Sequence, residues 1–205
     1  MRLNYIEFLA MNNPVRRFVQ EKYELKILQK ISSVRDIQTA LEIGCGSGNG
    51  TKLIKKYFSA KNIVGIDLDE RMIRIAERRN TDPGINFMVS DASKMDFPDN
   101  SFDAIFDFGI IHHIPNWKDC LNELSRVLKP GGELILEDLS KESFTKDIGL
   151  LYRIISVHPY KELYEVDEFI KYLKYVGFDI ITFRKSNPLG LIRFFSLYAR
   201  KKNDN

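Results

Sequence analysis

The run Leu41-Glu42-Ile43-Gly44-Cys45-Gly46-Ser47-Gly48, with the acid Asp67 closing Ile63-Val64-Gly65-Ile66, constrains this chain more than any other feature. An apolar run that ends in a spaced-glycine turn reads as a buried strand delivering a ligand-binding loop. An aspartate about 20 residues further on, at the tip of a second strand, is the usual partner of a ribose diol. Together they place an adenosine compound across the ends of the first two strands.

The glycine spacing narrows the compound. A nicotinamide dinucleotide loop reads Gly-x-Gly-x-x-Gly, but the third glycine would fall on Asn49 counted from Gly44, or on Thr51 counted from Gly46. A phosphate-binding loop ends in Gly-Lys-Ser/Thr, and Gly50-Thr51-Lys52 has the wrong order. Glycine stands instead at every second position, 44, 46, 48 and 50, directly after Glu42.

That pattern resembles the S-adenosylmethionine-dependent class I methyltransferases, and the resemblance continues in order along the chain. Val64-Gly65-Ile66-Asp67-Leu68-Asp69 is similar to the family's second strand and acidic tip. Asp91-Ala92 follows the apolar segment Ile85–Val89, where the family has an acid near the adenine amine. Phe97–Ile105 resembles the approach to the fourth strand, and Leu124–Leu134, through Lys129-Pro130-Gly131-Gly132, the helix and turn leading into the fifth. The resemblance is strong over residues 39–139 and holds in outline beyond.

Alternating strand and helix signals point to a doubly wound α/β sheet. The family pattern makes it a seven-stranded, mostly parallel, Rossmann-like sheet whose last strand is antiparallel. Strands are expected near 39–44, 103–108, 133–138, 180–183 and 191–198, the last two as a hairpin-like pair. Helices are expected over 49–58, 69–79, 117–128 and 166–176. Residues 14–31 read as an amphipathic helix burying Val15, Phe18, Val19, Tyr23, Leu28 and Ile31. The reading is one methyltransferase domain over 1–205: a helical cap at 1–36, a cofactor-binding half at 37–139 and a substrate-side part at 140–205.

Residue chemistry and resemblance together place the site. Gly44, Gly46 and Gly48 let the backbone approach a ligand and take dihedrals that a Cβ forbids. The helix that follows aims free amides at the carboxylate of a methionine moiety. Glu42 would offset the ammonium or the sulfonium, and Asp67 would accept both ribose hydroxyls. Leu68 and Met72 would cover the adenine faces, or simply belong to the core. Asp91, beside Ala92, would accept from the adenine amine, and Cys45 contributes backbone to the loop. After the fourth strand comes Asp107-Phe108-Gly109-Ile110-Ile111-His112-His113-Ile114. Asp107 would contact the ligand or the acceptor. His113 or His112 would take a proton from the acceptor near neutral pH, or only shape the pocket. His158 falls in the segment expected to overhang the acceptor.

The acceptor is less legible. The motif after strand four is not the Asn/Asp-Pro-Pro-Tyr/Phe of enzymes that methylate amino groups of bases or amides, which disfavours nucleic acid. Two cysteines are too few for arsenic chemistry. A small-molecule or lipid-like acceptor remains, in the group resembling quinone-biosynthesis enzymes. Leu3, Tyr5, Ile6, Phe8, Leu9 and Met11, with Leu150, Leu151, Tyr152, Ile154 and Ile155, would roof an apolar pocket or pack as core. The alternatives are an RNA methyltransferase using the basic termini, and a binding protein without turnover.

Composition bounds the setting. At 205 residues, 44% apolar and 29% charged, the chain can bury one substantial core. No run has transmembrane length, and Arg2, Asn4 and Glu7 interrupt the first stretch as no signal peptide would be. Cys45 and Cys120 offer neither a disulfide framework nor metal-ligand spacing, which suits the cytoplasm. Residues 1–35 carry net +4 and residues 184–205 net +5, so the total of +3 leaves −6 for the body between them. Such ends are ordinary solubilising charge, or draw in an anion, nucleic acid or a membrane surface.

Overall fold

The computed structural model describes residues 12–145, 162–187 and 193–203. The chain opens with one helical stretch: α1 (Pro14–Val19), a π-helical segment (Gln20–Glu24) and α2 (Leu25–Ile31). Then follow β1 (Thr39–Ile43), α3 (Asn49–Phe58), β2 (Asn62–Asp67), α4 (Glu70–Arg79), β3 (Ile85–Val89) and β4 (Phe102–Phe108). A 3-10 turn (Ile111–His113) leads to α5 (Trp117–Val127), β5 (Leu128–Asp138), α6 (Lys141–Thr145), α7 (Val166–Tyr175), β6 (Phe178–Ser186) and β7 (Phe194–Lys201).

The strands form one seven-stranded sheet in the order β3-β2-β1-β4-β5-β7-β6. Pairings from β3 through β5 are parallel, and β7 runs antiparallel between β5 and β6. Parallel strands are covered on both faces and so read as continuous apolar runs. In β4, Ala104, Phe106 and Phe108 face one core with Leu25, Leu28, Ile54 and Phe58. Ile105, on the opposite face, joins a second core with Trp117, Leu121, Tyr164 and Phe169. The strand order reverses between β1 and β4. Open α/β sheets bind ligands at the carboxyl ends of their strands at such a point.

The expected helices at 49–58 and 69–79 are present. The second starts at Glu70, with the Asp69 carboxylate accepting from Arg71 N at 3.0 Å as its cap. Three expectations need correction. Val15, Phe18 and Tyr23 are exposed, not buried; the inward residues of this stretch are Gln20, Leu25, Leu28 and Ile31. The π segment adds a residue to one turn and rotates the face, so one uniform helical period fails there. β5 begins at Leu128, not Glu133. Its pairing to β4 jumps between Phe102↔Leu128 and Ala104↔Glu133, and Gly131 turns at φ +73°. α5 ends at Val127 because the residue before Pro130 is driven toward extended backbone. β6 is longer than expected, from Phe178 to Ser186, and β7 lies at Phe194–Lys201, with Leu191 outside the described residues.

Candidate functional site at the carboxyl ends of the strands

Each of β1, β2, β4 and β5 delivers an acid at its carboxyl end: Glu42, Asp67, Asp107 and the pair Glu137-Asp138. Ile43 of β1 registers with Ile66 and with Asp107, so Glu42, Asp107 and Asp67 fall within two residues of one level on adjacent strands.

The loop after β1 is fixed by backbone bonds. Cys45 N donates to Ile66 O and Gly48 N to Cys45 O, both at 2.9 Å. Gly44, Gly46 and Gly48 all take positive φ, +61°, +52° and +77°. A Cβ on Gly44 would lie 2.4 Å from Ile110 Cγ1, and one on Gly48 2.8 Å from Phe87 Cζ. At Gly46 nothing lies within 4 Å, so its backbone faces open space. Gly50 has a different task. A Cβ there would stand 1.9 Å from Glu42 Oε1, so its absence makes room for that carboxylate.

Asp67 is held from two sides. Its Oδ2 accepts from Gly46 N at 2.9 Å and its Oδ1 from Asp69 N at 2.8 Å. Burial raises its pKa, and those two amides oppose the rise. Glu42 is 1% exposed, and its Oε2 has no hydrogen-bond partner. Burial pushes its pKa well up, the Asp67 charge adds to this, and the Thr51 amide and Arg16 pull back. Asp107 is fully buried. One oxygen accepts from Ile110 N at 2.8 Å and the other, Oδ2, has no partner. Burial and the Asp138 charge raise its pKa well above the ordinary range. Buried carboxylate oxygens without donors are costly. Two of them beside a ligand loop therefore fit a ligand that brings positive charge.

The other expected residues take varied places. Leu68 is exposed at the tip of β2, while Met72 is buried and its sulfur accepts from Asn12 Nδ2 at 3.3 Å. Ala92 is buried beside exposed Asp91, whose Oδ1 closes a turn onto Ser93 N and Oγ at 2.8 and 2.6 Å. Cys45 is buried and burial pushes its thiol pKa up, away from the reactive thiolate. His112 is 5% exposed. Its backbone amide donates to Asp138 Oδ2 at 3.0 Å, and its Nδ1 shares a short hydrogen bond with Asp138 Oδ1. His113 is half-buried, its ring 4.1 Å from that of His112. His158 and the expected roof residues Leu3, Tyr5, Ile6, Phe8, Leu9, Met11, Leu150, Leu151, Tyr152, Ile154 and Ile155 lie outside the described residues.

Several site residues escaped the sequence reading. Asp138 gathers the Tyr164 hydroxyl at 2.7 Å and Leu139 N at 2.7 Å besides His112, pinning the 3-10 turn to β5. Gln20 accepts from Asn49 Nδ2 at 2.7 Å. Arg16 donates to Glu24 at 2.6 Å and reaches Phe108 O at 3.5 Å. The N-terminal helical stretch thus lies against the carboxyl end of β4. The signal for Glu137 and Asp138 was available, since Leu134-Ile135-Leu136 ends in acids as β1 and β2 do. Tyr164, Gln20 and Arg16 act through long-range contacts with no local pattern.

The geometry can be set against known proteins. Residues 41–136 match a family described as methyltransferase domain. Residues 41–136 are thus similar to a methyltransferase domain. The chain is 31% identical over 119 residues to a fatty-acid O-methyltransferase of Mycolicibacterium smegmatis, covering 57% of this chain and 43% of that one. It is 33% identical over 149 residues to a sterol 24-C-methyltransferase of Yarrowia lipolytica, covering 68% and 39%. The chain thus spans less than half the length of these curated relatives. A solved S-adenosylmethionine-dependent methyltransferase from Aquifex aeolicus shares the fold at a TM-score of 0.73 and 22% identity, over 98% of this chain and 100% of that one. The chain therefore places its acids and glycine loop at the switch point of a fold it shares with that solved structure.

Proposed function

We propose that this chain moves a methyl group from S-adenosylmethionine to a small, apolar or lipid-like acceptor. The observation that carries the reading is the pair of buried, donor-less carboxylate oxygens, Glu42 Oε2 and Asp107 Oδ2, next to the Gly44–Gly48 loop. When bound, S-adenosylmethionine supplies a methyl group already activated by its sulfonium. Glu42 and Asp107 offset the ligand's positive charge. Asp67, held by two amides, presents its remaining lone pairs to the ribose. Gly44, Cys45, Gly46 and Gly48 leave backbone where a side chain would intrude. Leu68, Met72, Asp91 and Ala92 serve the adenine end.

The chain's other contribution is to align the acceptor and keep water out. Where the acceptor must lose a proton, His113 receives it, and His112, locked by Asp138 and Tyr164, holds the turn that carries His113. The lipid-like acceptor class is supported by the fatty-acid and sterol enzymes named above. A cytoplasmic setting belongs to the same proposal, supported by two buried free thiols, Cys45 and Cys120.

The test uses the chain with S-adenosylmethionine labelled on the methyl group, incubated with a total lipid extract or with RNA. Label recovered in a discrete lipid species is the expected result. Label in RNA would replace the acceptor class. Bound but unconsumed donor across both would mark a binding protein and overturn the reading.

A further inference from the structure

We propose that the outward face of the N-terminal helical stretch docks this chain on an anionic lipid surface. α1 buries no residue at all. Val15 is 69% exposed, Phe18 55% and Tyr23 61%. Lys22, Lys26 and Lys30, further along the same stretch, are exposed as well.

The acids of this stretch are partnered: Glu24 is paired with Arg16 at 2.6 Å, and Glu21 accepts from the Tyr57 hydroxyl at 3.2 Å and lies 3.9 Å from Lys22 Nζ. The outward side keeps the cations, and Lys26 and Lys30 form no ion pair among the described residues. A helix that shows lysines and large apolar side chains together, with its acids partnered, matches the physics of an interfacial helix. Its apolar groups enter the acyl boundary while its lysines meet anionic headgroups. A nucleic acid would use the lysines but leave Val15 without a role, and a monomer in water gains nothing by exposing Phe18.

The inward side of the same stretch ties this surface to the site. Asn12 reaches Met72, Arg16 reaches Phe108 O, and Gln20 accepts from Asn49 at the start of α3. Docking would therefore set the carboxyl ends of the strands against the bilayer, where an apolar acceptor is dissolved. This last consequence rests on the proposed acceptor class; the docking itself does not, and its test needs no turnover.

The test is co-sedimentation with phosphatidylcholine vesicles, with and without about a third phosphatidylglycerol, for wild type, for K22E/K26E/K30E and for V15S/F18S. Retained thermal shift with S-adenosylhomocysteine shows that each variant is folded. Wild type is expected to bind the anionic vesicles, to release with rising salt, and to ignore neutral ones. Each lysine near such a surface is worth about fivefold in partitioning, so the triple reversal is expected to cost at least about a hundredfold. V15S/F18S is expected to lower binding without changing its salt dependence. Failure to bind anionic vesicles at low salt would overturn the proposal, as would unchanged binding in both variants. So would RNA binding lost in the lysine variant without vesicle binding, or a dimer in solution that V15S/F18S dissociates.

Discussion

Replacing Glu42 by Gln separates what its carboxylate does for the ligand from what it costs the free chain. Glu42 is buried, its Oε2 has no donor, and its pKa is raised well above the ordinary value, first by burial and then by Asp67. An acid whose pKa is higher in the folded chain holds a proton there that the unfolded chain has already released. Stability of the ligand-free protein therefore falls as pH rises from the unfolded value near 4.3 toward the raised one, by about 1.4 kcal/mol per pH unit. Gln keeps an oxygen for the Thr51 amide and removes the titration. Each unit by which a pKa is raised costs about 1.4 kcal/mol at a pH above it, so Glu42→Gln is expected to raise the midpoint of the ligand-free protein by about 2–4 °C or more at pH 7. It is also expected to flatten the fall in stability above pH 5. The same variant loses the charge that meets the sulfonium and ammonium, and its S-adenosylmethionine affinity is expected to drop at least about tenfold, near 1.4 kcal/mol. Scanning calorimetry across pH with a parallel ligand titration reads both effects. A variant that is less stable without ligand yet binds as tightly as wild type would refute the reasoning.

Three further outcomes follow from the same geometry. Gly50→Ala drives a Cβ to 1.9 Å from Glu42 Oε1; overpacking of about 1–3 kcal/mol is expected in denaturant unfolding, with loss of ligand binding. Tyr164→Phe removes a hydrogen bond to the buried Asp138 carboxylate and is expected to cost about 1.5–3 kcal/mol by urea denaturation, with ligand affinity kept. Because Glu42 and Asp107 have raised pKa values, binding of a cationic ligand is expected to release protons. Calorimetry in buffers of different ionisation enthalpy would show it, and Glu42→Gln would diminish the release.

Local chemistry explains what the sequence made legible. Glycines 44, 46 and 48 mark positive φ, and acids at strand ends mark the ligand edge of a parallel sheet, so the loop and the acids Glu42, Asp67 and Asp107 could be read in advance. The N-terminal stretch could not, because a π segment at Gln20–Glu24 changes the helical period midway and turns Gln20 and Glu24 inward. The clamp of Asp138 on His112 and Tyr164 joins three separate parts of the chain, so no spacing announces it. His112 illustrates the difference: the pair His112-His113 was visible as chemistry, but only the fold distinguishes the buried, Asp138-bound ring from its half-buried neighbour.

The central claim is that Asp67 and its neighbours hold the adenosine end of S-adenosylmethionine, and calorimetric titration tests it most directly. Wild type and Asp67→Ala would each be titrated with S-adenosylmethionine and with nicotinamide dinucleotide. The account predicts one equivalent of S-adenosylmethionine on wild type, binding weakened at least about tenfold in the variant by lost charge-assisted hydrogen bonds, and no comparable dinucleotide binding. Preferential dinucleotide binding, or S-adenosylmethionine affinity untouched by Asp67→Ala, would contradict it.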